Sequence, residues 1–336
     1  MNGRERVMAA LEFRKPDKIP IDVWILPAAW HKYGERLEKV LAERERDIAA
    51  VAGPLDMGYD GRYYEIGSFT DPWGSGWRNI QRGIIGEVKE PVFQEYDTIE
   101  SYCPPIKQFL SEWETAKEQI EAQITGYREQ GKFIMGGWIS LFERMQYLRG
   151  TEELYCDIAL DEEGMHSMIA HVMDLERVYV EKWLELDVDA IGFGDDWGSQ
   201  TSLLISPDKW KKIFKPLYKE LIDTIKAAGR KVFFHSDGFI YDLYPEFIEL
   251  GVDAVNSQLW CMGVEKVAEK YAGKITFWGE ISRQTTLPKG TPQEIIECAK
   301  VLKKNLMVNG GGLIGQSELN SDVPLENVEA LLKAWE

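Results

Sequence analysis

The sequence predicts an α/β fold, a single (β/α)8 TIM barrel. In the last two-fifths of the 336 residues, a helix, a short apolar run and a polar tip follow one another five times. The apolar runs lie at residues 190–194, 231–234, 252–255, 275–278 and 312–315. A strand buried on both faces has such a run, and parallel strands need helical crossovers. Polar residues at the carboxyl ends of these strands predict an active site at that mouth of the barrel.

The first half of the chain supplies the other predicted elements. An N-terminal helical segment ends at Pro16, and residues 19–24 form the expected first strand. A polar amphipathic helix is expected over 30–50. A second strand is expected within 50–60, although no strong apolar run marks it there. Residues 133–138 are predicted to be a further strand.

Segment 56–91 differs from the rest in being rich in Gly, Tyr and Trp. Within it, residues 76–80 and 83–88 predict a β-hairpin, which we expect to be an excursion over the barrel mouth. No linker or low-complexity stretch divides the chain, so residues 1–336 are expected to form one domain.

The composition restricts the choice of partners. A net charge of -17 argues against nucleic acid and against acidic membrane surfaces, because binding phosphates requires clustered Lys and Arg. No stretch reaches the ~18 apolar residues of a membrane span, and no signal-peptide core follows the charged start. The four scattered cysteines, without a CxxC pair, are typical of free thiols in a reducing compartment. We therefore expect a cytoplasmic protein acting on a small molecule.

His235 and Asp237 form the sharpest candidate site. They lie two residues apart after a strongly apolar strand, and Gly238 allows a tight turn beyond them. From there both side chains can face the mouth, where they could bind a metal or act as an acid–base pair. The alternative is a structural histidine hydrogen-bonded at the barrel rim.

Carboxylates and amides follow other predicted strands. Asp195 and Asp196 are candidates for catalysis or substrate orientation, and because they are adjacent, one is expected to face the mouth while the other caps or pairs elsewhere. Glu280, Asn256 and Gln316 end three further strands and are expected to contact the substrate. Solvation at the rim is the alternative for each charged group.

Many of the 12 tryptophans, Trp24 among them, fall where the mouth is predicted. Trp138, Trp197 and Trp278 are expected to wall the substrate pocket. Such walls suit a flat aromatic substrate, or a methylated ammonium through cation–π attraction. For any single tryptophan, packing of a loop over the barrel is the alternative.

Several segments of the chain carry a family resemblance. Residues 194–200, 203–207 and 231–238 read GDDWGSQ, LLISP and KVFFHSDG, while the start has RERVMAAL followed by PD and IP, and the end has PLEN at 324–327. These segments resemble the uroporphyrinogen decarboxylase superfamily over essentially the whole chain. The resemblance implies a (β/α)8 barrel independently of the strand pattern.

The resemblance implies one of two activities. True uroporphyrinogen decarboxylases hold substrate carboxylates with paired arginines after the first strand, where this chain has the arginine-free segment 26–30. They also carry a histidine near the last strand, where this chain has Gln316 and Ser317. An acidic, arginine-poor mouth disfavours a substrate with many carboxylates. The chain is therefore more similar to the corrinoid-dependent methyltransferase-like branch.

Some methyltransferases of that branch bind zinc through His-x-Cys and a later Cys. His235 matches the histidine, Asp237 stands in place of the first cysteine, and Gln316 or Ser317 replaces the second. Zinc accepts histidine and carboxylate ligands and becomes a harder Lewis acid with fewer thiolates. The resemblance thus implies a Zn²⁺ site of His235, Asp237 and Glu318 that could polarise an ether or hydroxyl oxygen.

The expected activity is transfer of a methyl group between a small methylated compound, aromatic or O-methylated, and a corrinoid carried on a partner protein. A metal-free decarboxylase of uroporphyrinogen or another carboxylated substrate is the alternative, and a non-catalytic binding protein on a barrel scaffold is the third. Arginines at the mouth would distinguish a decarboxylase from a methyltransferase. The residues that could provide them are Arg62, Arg78, Arg144 and Arg283. The resemblance also makes a homodimer a reasonable expectation.

Overall fold

A computed structural model describes residues 1–58 and 60–336 of the chain. Its central feature is a sheet of eight parallel strands rolled into a nearly closed barrel. The barrel strands are β1 (Ile21–Ile25), β2 (Ile48–Val51), β6 (Phe133–Ile139), β7 (Ala190–Gly194), β8 (Lys231–Ser236), β9 (Ala254–Ser257), β10 (Thr276–Trp278) and β11 (Leu313–Leu319). The hydrogen-bonded order is β1, β11, β10, β9, β8, β7, β6, β2, which confirms the predicted α/β barrel.

The two end strands of this order are joined through one residue, Asp47. Its backbone N–H donates to the carbonyl oxygen of Ile21 at 2.9 Å. Its carboxylate accepts from the N–H of Ile21 at 2.8 Å. The seam between β1 and β2 is thereby bridged at its amino-terminal end.

The segment after β2 forms a small antiparallel sheet outside the barrel. Its strands are β3 (Gly67–Thr70), β4 (Gly76–Asn79) and β5 (Glu87–Glu90), with β4 in the middle. The predicted excursion is present, but it has three strands, and the partner of β4 begins four residues later than expected. Asn79 explains the delay, since its side-chain amide donates to the carbonyl oxygens of Tyr63 and Ile84 and holds the intervening residues in a turn.

Helices cover the outside of the barrel. They are α1 (Gly3–Leu11), α2 (Pro27–Tyr33), α3 (Glu35–Ala42), α4 (Ile106–Glu129), α5 (Phe142–Arg149), α6 (Thr151–Leu160), α7 (Glu163–Leu184), α8 (Pro207–Ile213), α9 (Lys215–Ala227), α10 (Tyr244–Leu250), α11 (Leu259–Met262), α12 (Val264–Tyr271), α13 (Thr286–Lys289), α14 (Pro292–Leu306) and α15 (Leu325–Ala334). None of the described helices has the length and apolar character to cross a membrane.

Two predictions for residues 30–60 were wrong in detail. The single helix expected over 30–50 is two helices, because Gly34 between α2 and α3 adopts a φ of 48°, which interrupts the helix. The second strand starts at Ile48, before the expected 50–60 stretch, in which Tyr59 lies outside the described residues. Two alanines in the middle of β2 weaken its apolar signal.

The barrel interior is packed at its amino-terminal end by α1. Val7 and Ala10 of this helix belong to the same buried cluster as Phe133 and Phe233 on the strands. The carbonyl oxygen of Ala10 also accepts the N–H of Gly312 at 2.8 Å, which ties the helix to the start of β11. This end of the barrel is thereby filled, and the predicted site residues lie at the opposite, carboxyl-terminal mouth.

Candidate active site

A chain of amides fixes the orientation of His235 at the end of β8. Nδ1 of His235 lies 2.6 Å from Oδ1 of Asn256 on the neighbouring strand β9. Nδ2 of Asn256 donates to Oε1 of Gln316 at 2.9 Å and to the carbonyl oxygen of Trp278. Because both donor contacts use Nδ2, the Asn256 oxygen must accept from the imidazole, so Nδ1 carries a proton. Asn256 and Gln316, expected to touch substrate, instead orient the histidine.

Two carboxylates face the other ring nitrogen. Nε2 of His235 lies 3.5 Å from Oδ1 of Asp196 and 3.6 Å from Oδ1 of Asp237. The three ligand atoms lie within 4.8 Å of one another. Ligand atoms about 2.0 Å from a tetrahedral ion are spaced about 3.3 Å apart, so the two measured separations suit a shared cation better than direct hydrogen bonds.

One carboxylate oxygen of this cluster lacks a partner. In residues 1–58 and 60–336, Oδ1 of Asp237 is buried and accepts no hydrogen bond. Oδ1 of Asp196 accepts the backbone N–H of Asp237 at 2.8 Å, which holds the two carboxylates side by side. A buried, unsatisfied carboxylate oxygen is costly, and the lone pair of His235 Nε2 is aimed toward it. The residues present thus fit a divalent cation.

Arg283 organises a second group of acids beside this cluster. Its guanidinium donates to Oε1 of Glu318 at 2.8 Å and to Oδ2 of Asp237, and its Nε lies 3.8 Å from Glu280. Burial, reinforced by the charge of Glu318, raises the pKa of Glu280 well above its ordinary value. The expected third ligand, Glu318, lies outside the group of Asp196, His235 and Asp237, in which Asp196 supplies the third ligand atom.

The side chains of Asp195 and Asp196 lie in different environments, as expected for adjacent residues at the end of a strand. Asp195 is fully buried and accepts from the N–H groups of Leu141 and Glu143, from Ser140 Oγ at 3.0 Å and from the Tyr218 hydroxyl. These contacts cap the start of α5 and fix it to the end of β7. The geometry favours a positioning role for Asp195, while Asp196 faces His235.

The tryptophans occupy three different environments. Trp197 is fully buried and stacks on Phe142 with ring centroids 4.1 Å apart, so it packs α5 and does not line the mouth. Trp278 is also fully buried, under Trp24 at 4.9 Å. Trp24 and Trp138 instead face the site, with centroids 5.2 Å and 6.2 Å from the His235 ring. Of the three expected walls, only Trp138 lines the cavity described next.

A cavity of about 370 Å³ opens beside the His235 cluster. Its walls are largely apolar and come from the ends of β1, β2 and β6 and from the loop after β2, namely Trp24, Ala50, Val51, Ala52, Leu55, Met57, Gly58, Tyr64, Met135, Gly137 and Trp138. Its polar lining consists of Asp56, Ser140, Glu143 and Arg144. The volume suits a small organic molecule.

Sequence reasoning named Arg144 only as a possible arginine at the mouth, and it missed Asp56, Ser140 and Glu143, of which Asp56 and Glu143 do not directly end an apolar run. Asp56 lies in the loop after β2, and Glu143 and Arg144 lie in the first turn of α5. Burial raises the pKa of Glu143 well above its ordinary value, and the neighbouring charges of Asp196 and Asp195 add to the effect. Glu143 therefore links the cavity to the His235 cluster. The sequence signal that could have pointed to Glu143 and Arg144 is the position of α5 directly after a predicted strand.

The fold and the site define a (β/α)8 barrel protein with a cluster of histidine and carboxylates at its catalytic mouth. The sequence model of the family "Uroporphyrinogen decarboxylase (URO-D)" matches residues 78–336. This match covers most of the chain, and the protein belongs to the uroporphyrinogen decarboxylase family.

Individual relatives are distant. Uroporphyrinogen decarboxylases of Sulfurimonas denitrificans and of a Sulfurovum species are 22% and 24% identical over 177 and 178 residues. Each alignment covers 50% of this chain and 47% of the relative, so the matched chain spans about half the length of these proteins. The structure is similar to a methyltransferase from Methanosarcina mazei, with a TM-score of 0.74, 17% identity, and coverage of 99% of this chain and 98% of the other. At that identity the likeness establishes the shared fold.

Proposed function

We propose that this protein transfers a methyl group between a small methylated compound held in the 370 Å³ cavity and a corrinoid carried by a partner protein. The observation that carries the proposal is the cluster of Asp196, His235 and Asp237, in which one imidazole nitrogen and two carboxylate oxygens converge. Its position beside Trp24 and Trp138 places it within reach of a ligand lying against those rings.

The cluster would hold a divalent cation such as Zn²⁺. His235 would contribute Nε2, which carries the lone pair of the neutral ring because the Asn256 contact places the proton on Nδ1, and Asp196 and Asp237 would each contribute one oxygen. A bound Zn²⁺ would supply Lewis-acid stabilisation for the atom to which the methyl group is attached. Trp24 and Trp138 would orient the substrate, and the cavity walls would exclude water from it.

The arginines disfavour the decarboxylase alternative. Arg283 is paired with Asp237 and Glu318, and Arg144 is paired with Asp71 at 3.0 Å. Arg62 is paired with the neighbouring Asp60. Three of the four arginines considered above are thus ion-paired within the protein, and the fourth, Arg78, is exposed on β4 of the small sheet outside the barrel. A substrate with several carboxylates requires cations left available for it.

Metal analysis of protein purified without chelator or metal-affinity resin tests the site. We expect about one zinc per chain in the parent and loss of zinc in His235→Ala and Asp196→Asn. Asp208→Asn is the matched control, since Asp208 is an exposed carboxylate in α8. Absence of metal from the parent, together with no zinc uptake on titration, would leave His235 and Asp237 as an acid–base pair and make decarboxylation the leading function.

Methyl transfer is tested with reduced free cobalamin and a panel of O-methyl, N-methyl and S-methyl compounds. Formation of methylcobalamin, followed by its absorbance, is expected with at least one donor and should be lost in His235→Ala. Release of carbon dioxide from carboxylated compounds, without any methylcobalamin, would contradict the proposal.

A further inference from the structure

The 370 Å³ cavity continues inward into a small chamber. The chamber has a volume of about 40 Å³ and shares Leu55, Asp56, Trp138, Ser140 and Arg144 with the cavity. Its inner wall is formed by Trp73, Leu175, Glu176 and Tyr179. A volume of this size holds one non-hydrogen atom or two, such as a water molecule or an amino group.

Glu176 is the unusual residue of this chamber. It is only 6% exposed, and in the described part of the chain its carboxyl group makes no hydrogen bond. Burial is the main reason that its pKa is raised to about 8; the charge of Arg144 opposes this shift, and the charges of Asp56 and Asp195 add to it. A buried carboxyl group without a partner is costly unless a ligand completes its contacts.

Asp56 adds a second acid with no cation of its own. Its oxygens accept from the N–H of Gly53 at 2.8 Å and from the hydroxyl of Tyr179 at 2.5 Å, and both donors are neutral. That hydroxyl in turn accepts the backbone N–H of Trp138 at 2.8 Å, so its own proton is directed at Asp56. Burial raises the pKa of Asp56 to about 7.

The cation of the chamber, Arg144, is already neutralised. Its Nη1 donates to Asp71 at 3.0 Å, and its guanidinium lies 4.9 Å from the centre of the Trp73 ring. Asp71 is itself buried and has no exposure to solvent in its side chain. Arg144 is hydrogen-bonded to Asp71, and in the described residues no cation is hydrogen-bonded to Asp56 or Glu176. A positive group in the chamber would stabilise the ionised forms of both acids, so the chamber favours a positive group over a negative one.

We propose that this chamber binds a protonated primary amino group of the substrate, so that the substrate class is a methylated aromatic amine. The amino group would lie between Asp56 and Glu176, the ring would lie against Trp138 and Trp24, and the methyl-bearing atom would face the His235 cluster. A primary ammonium group offers three N–H donors to the two carboxyl groups, whereas a trimethylammonium group offers none, which distinguishes this class from quaternary amines. This inference deepens the proposed function and rests on it for the identity of the reacting end, while recognition of the amine is tested separately.

Equilibrium binding by calorimetry tests the inference with four methoxyphenyl compounds. They differ only in the para substituent, which is aminoethyl, ethyl, carboxymethyl or the trimethylated aminoethyl group. We expect the primary amine to bind at least tenfold more tightly than the other three at pH 7. Equal binding of the amine and the ethyl compound would overturn the proposal. Preference for the carboxylate, abolished by Arg144→Met, would replace it with an anion site.

Substitutions of the two acids test whether they cause the preference for the amine. Glu176→Gln and Asp56→Asn should each remove most of the preference for the amine and leave binding of the ethyl compound unchanged. Asp174→Asn is the matched control, because Asp174 lies in the same helix α7 and is exposed. If Asp56→Asn does not fold, Glu176→Gln alone provides the test. An unchanged preference of that variant for the amine over the ethyl compound would contradict the proposed amine site. Amine binding without methylcobalamin formation would reject the proposed methyl transfer and leave the amine site standing.

Discussion

Nδ1 of His235 lies 2.6 Å from the side-chain oxygen of Asn256, and this contact decides which imidazole nitrogen is offered to the mouth of the barrel. Asn256 is itself held by Gln316 and by the carbonyl oxygen of Trp278, so its amide cannot turn without losing two hydrogen bonds. Four strands, β8, β9, β10 and β11, therefore cooperate to present Nε2 of His235 to Asp196 and Asp237.

Replacing Asn256 should weaken metal binding without removing a ligand. In Asn256→Leu the imidazole loses its acceptor and is free to change tautomer, and loss of such an outer partner typically costs about 10- to 100-fold in affinity. Asn256→Asp keeps the acceptor and should retain more affinity than Asn256→Leu. Competition for zinc with a calibrated chelator measures both, and equal affinities of parent and Asn256→Leu would contradict the assigned role.

Substitution of Asp195 should mainly affect stability, whereas substitution of Asp196 should mainly affect metal binding. Asp195→Asn places an amide where four donors converge, and we expect it to lower the free energy of unfolding by about 1–3 kcal/mol. Asp196→Asn should change stability by less than about 1 kcal/mol and reduce zinc binding. Urea denaturation and metal titration of the two neighbouring variants check this, and the reverse pattern would show that the roles are exchanged.

The stability of the protein should depend on pH through Glu176. Its pKa is raised to about 8 by burial, so the folded state keeps this proton between about pH 4.5 and 8 while the unfolded state has lost it. The contribution of Glu176 to stability is therefore complete below this window and falls as the pH rises through it. Glu176→Gln has no proton to lose, so its stability relative to the parent should rise from pH 5 to pH 8, on the order of 2 kcal/mol. Urea denaturation across this range checks the slope, and a difference independent of pH would be inconsistent with a buried, protonated Glu176.

Gly238 should be required for the turn that follows the His235 cluster. It has a φ of 79°, and a Cβ there would lie 2.1 Å from the carbonyl oxygen of Gly198. Gly229 is the matched control, since its φ is 75° and a Cβ would meet nothing within 4 Å. We expect Gly229→Ala to cost about 1 kcal/mol from backbone strain alone and Gly238→Ala roughly 3 kcal/mol or more. Thermal unfolding compares them, and equal losses would show that the close approach is unimportant.

The sequence by itself determined the barrel and the general position of its site. Buried parallel strands appear as continuous apolar runs, a local property, so β7, β8 and β11 were predictable within a few residues. His235 and Asp237 were predictable for the same reason, because the residues that follow such a strand must emerge at its carboxyl end. The weakest element was β2, whose central alanines give little apolar signal.

Only the tertiary structure decided which of these residues work together. Asp196, and not Asp195, faces His235 because the helix start of α5 consumes every oxygen of Asp195. Arg283 pairs with both Asp237 and Glu318, but Glu318 lies outside the group of Asp196, His235 and Asp237. Trp197 was expected in the pocket and is instead packed in the core against Phe142.

No local sequence pattern predicted the inner chamber. Asp56 lies in a loop and Glu176 in the middle of a long helix, and no apolar run or spacing relates the two. They meet because β2 and β6 are neighbours in the barrel and α7 packs against β6. Local sequence determines where strands begin and end, whereas the direction of a side chain beyond the strand and the choice of its charge partner depend on residues far away in the chain.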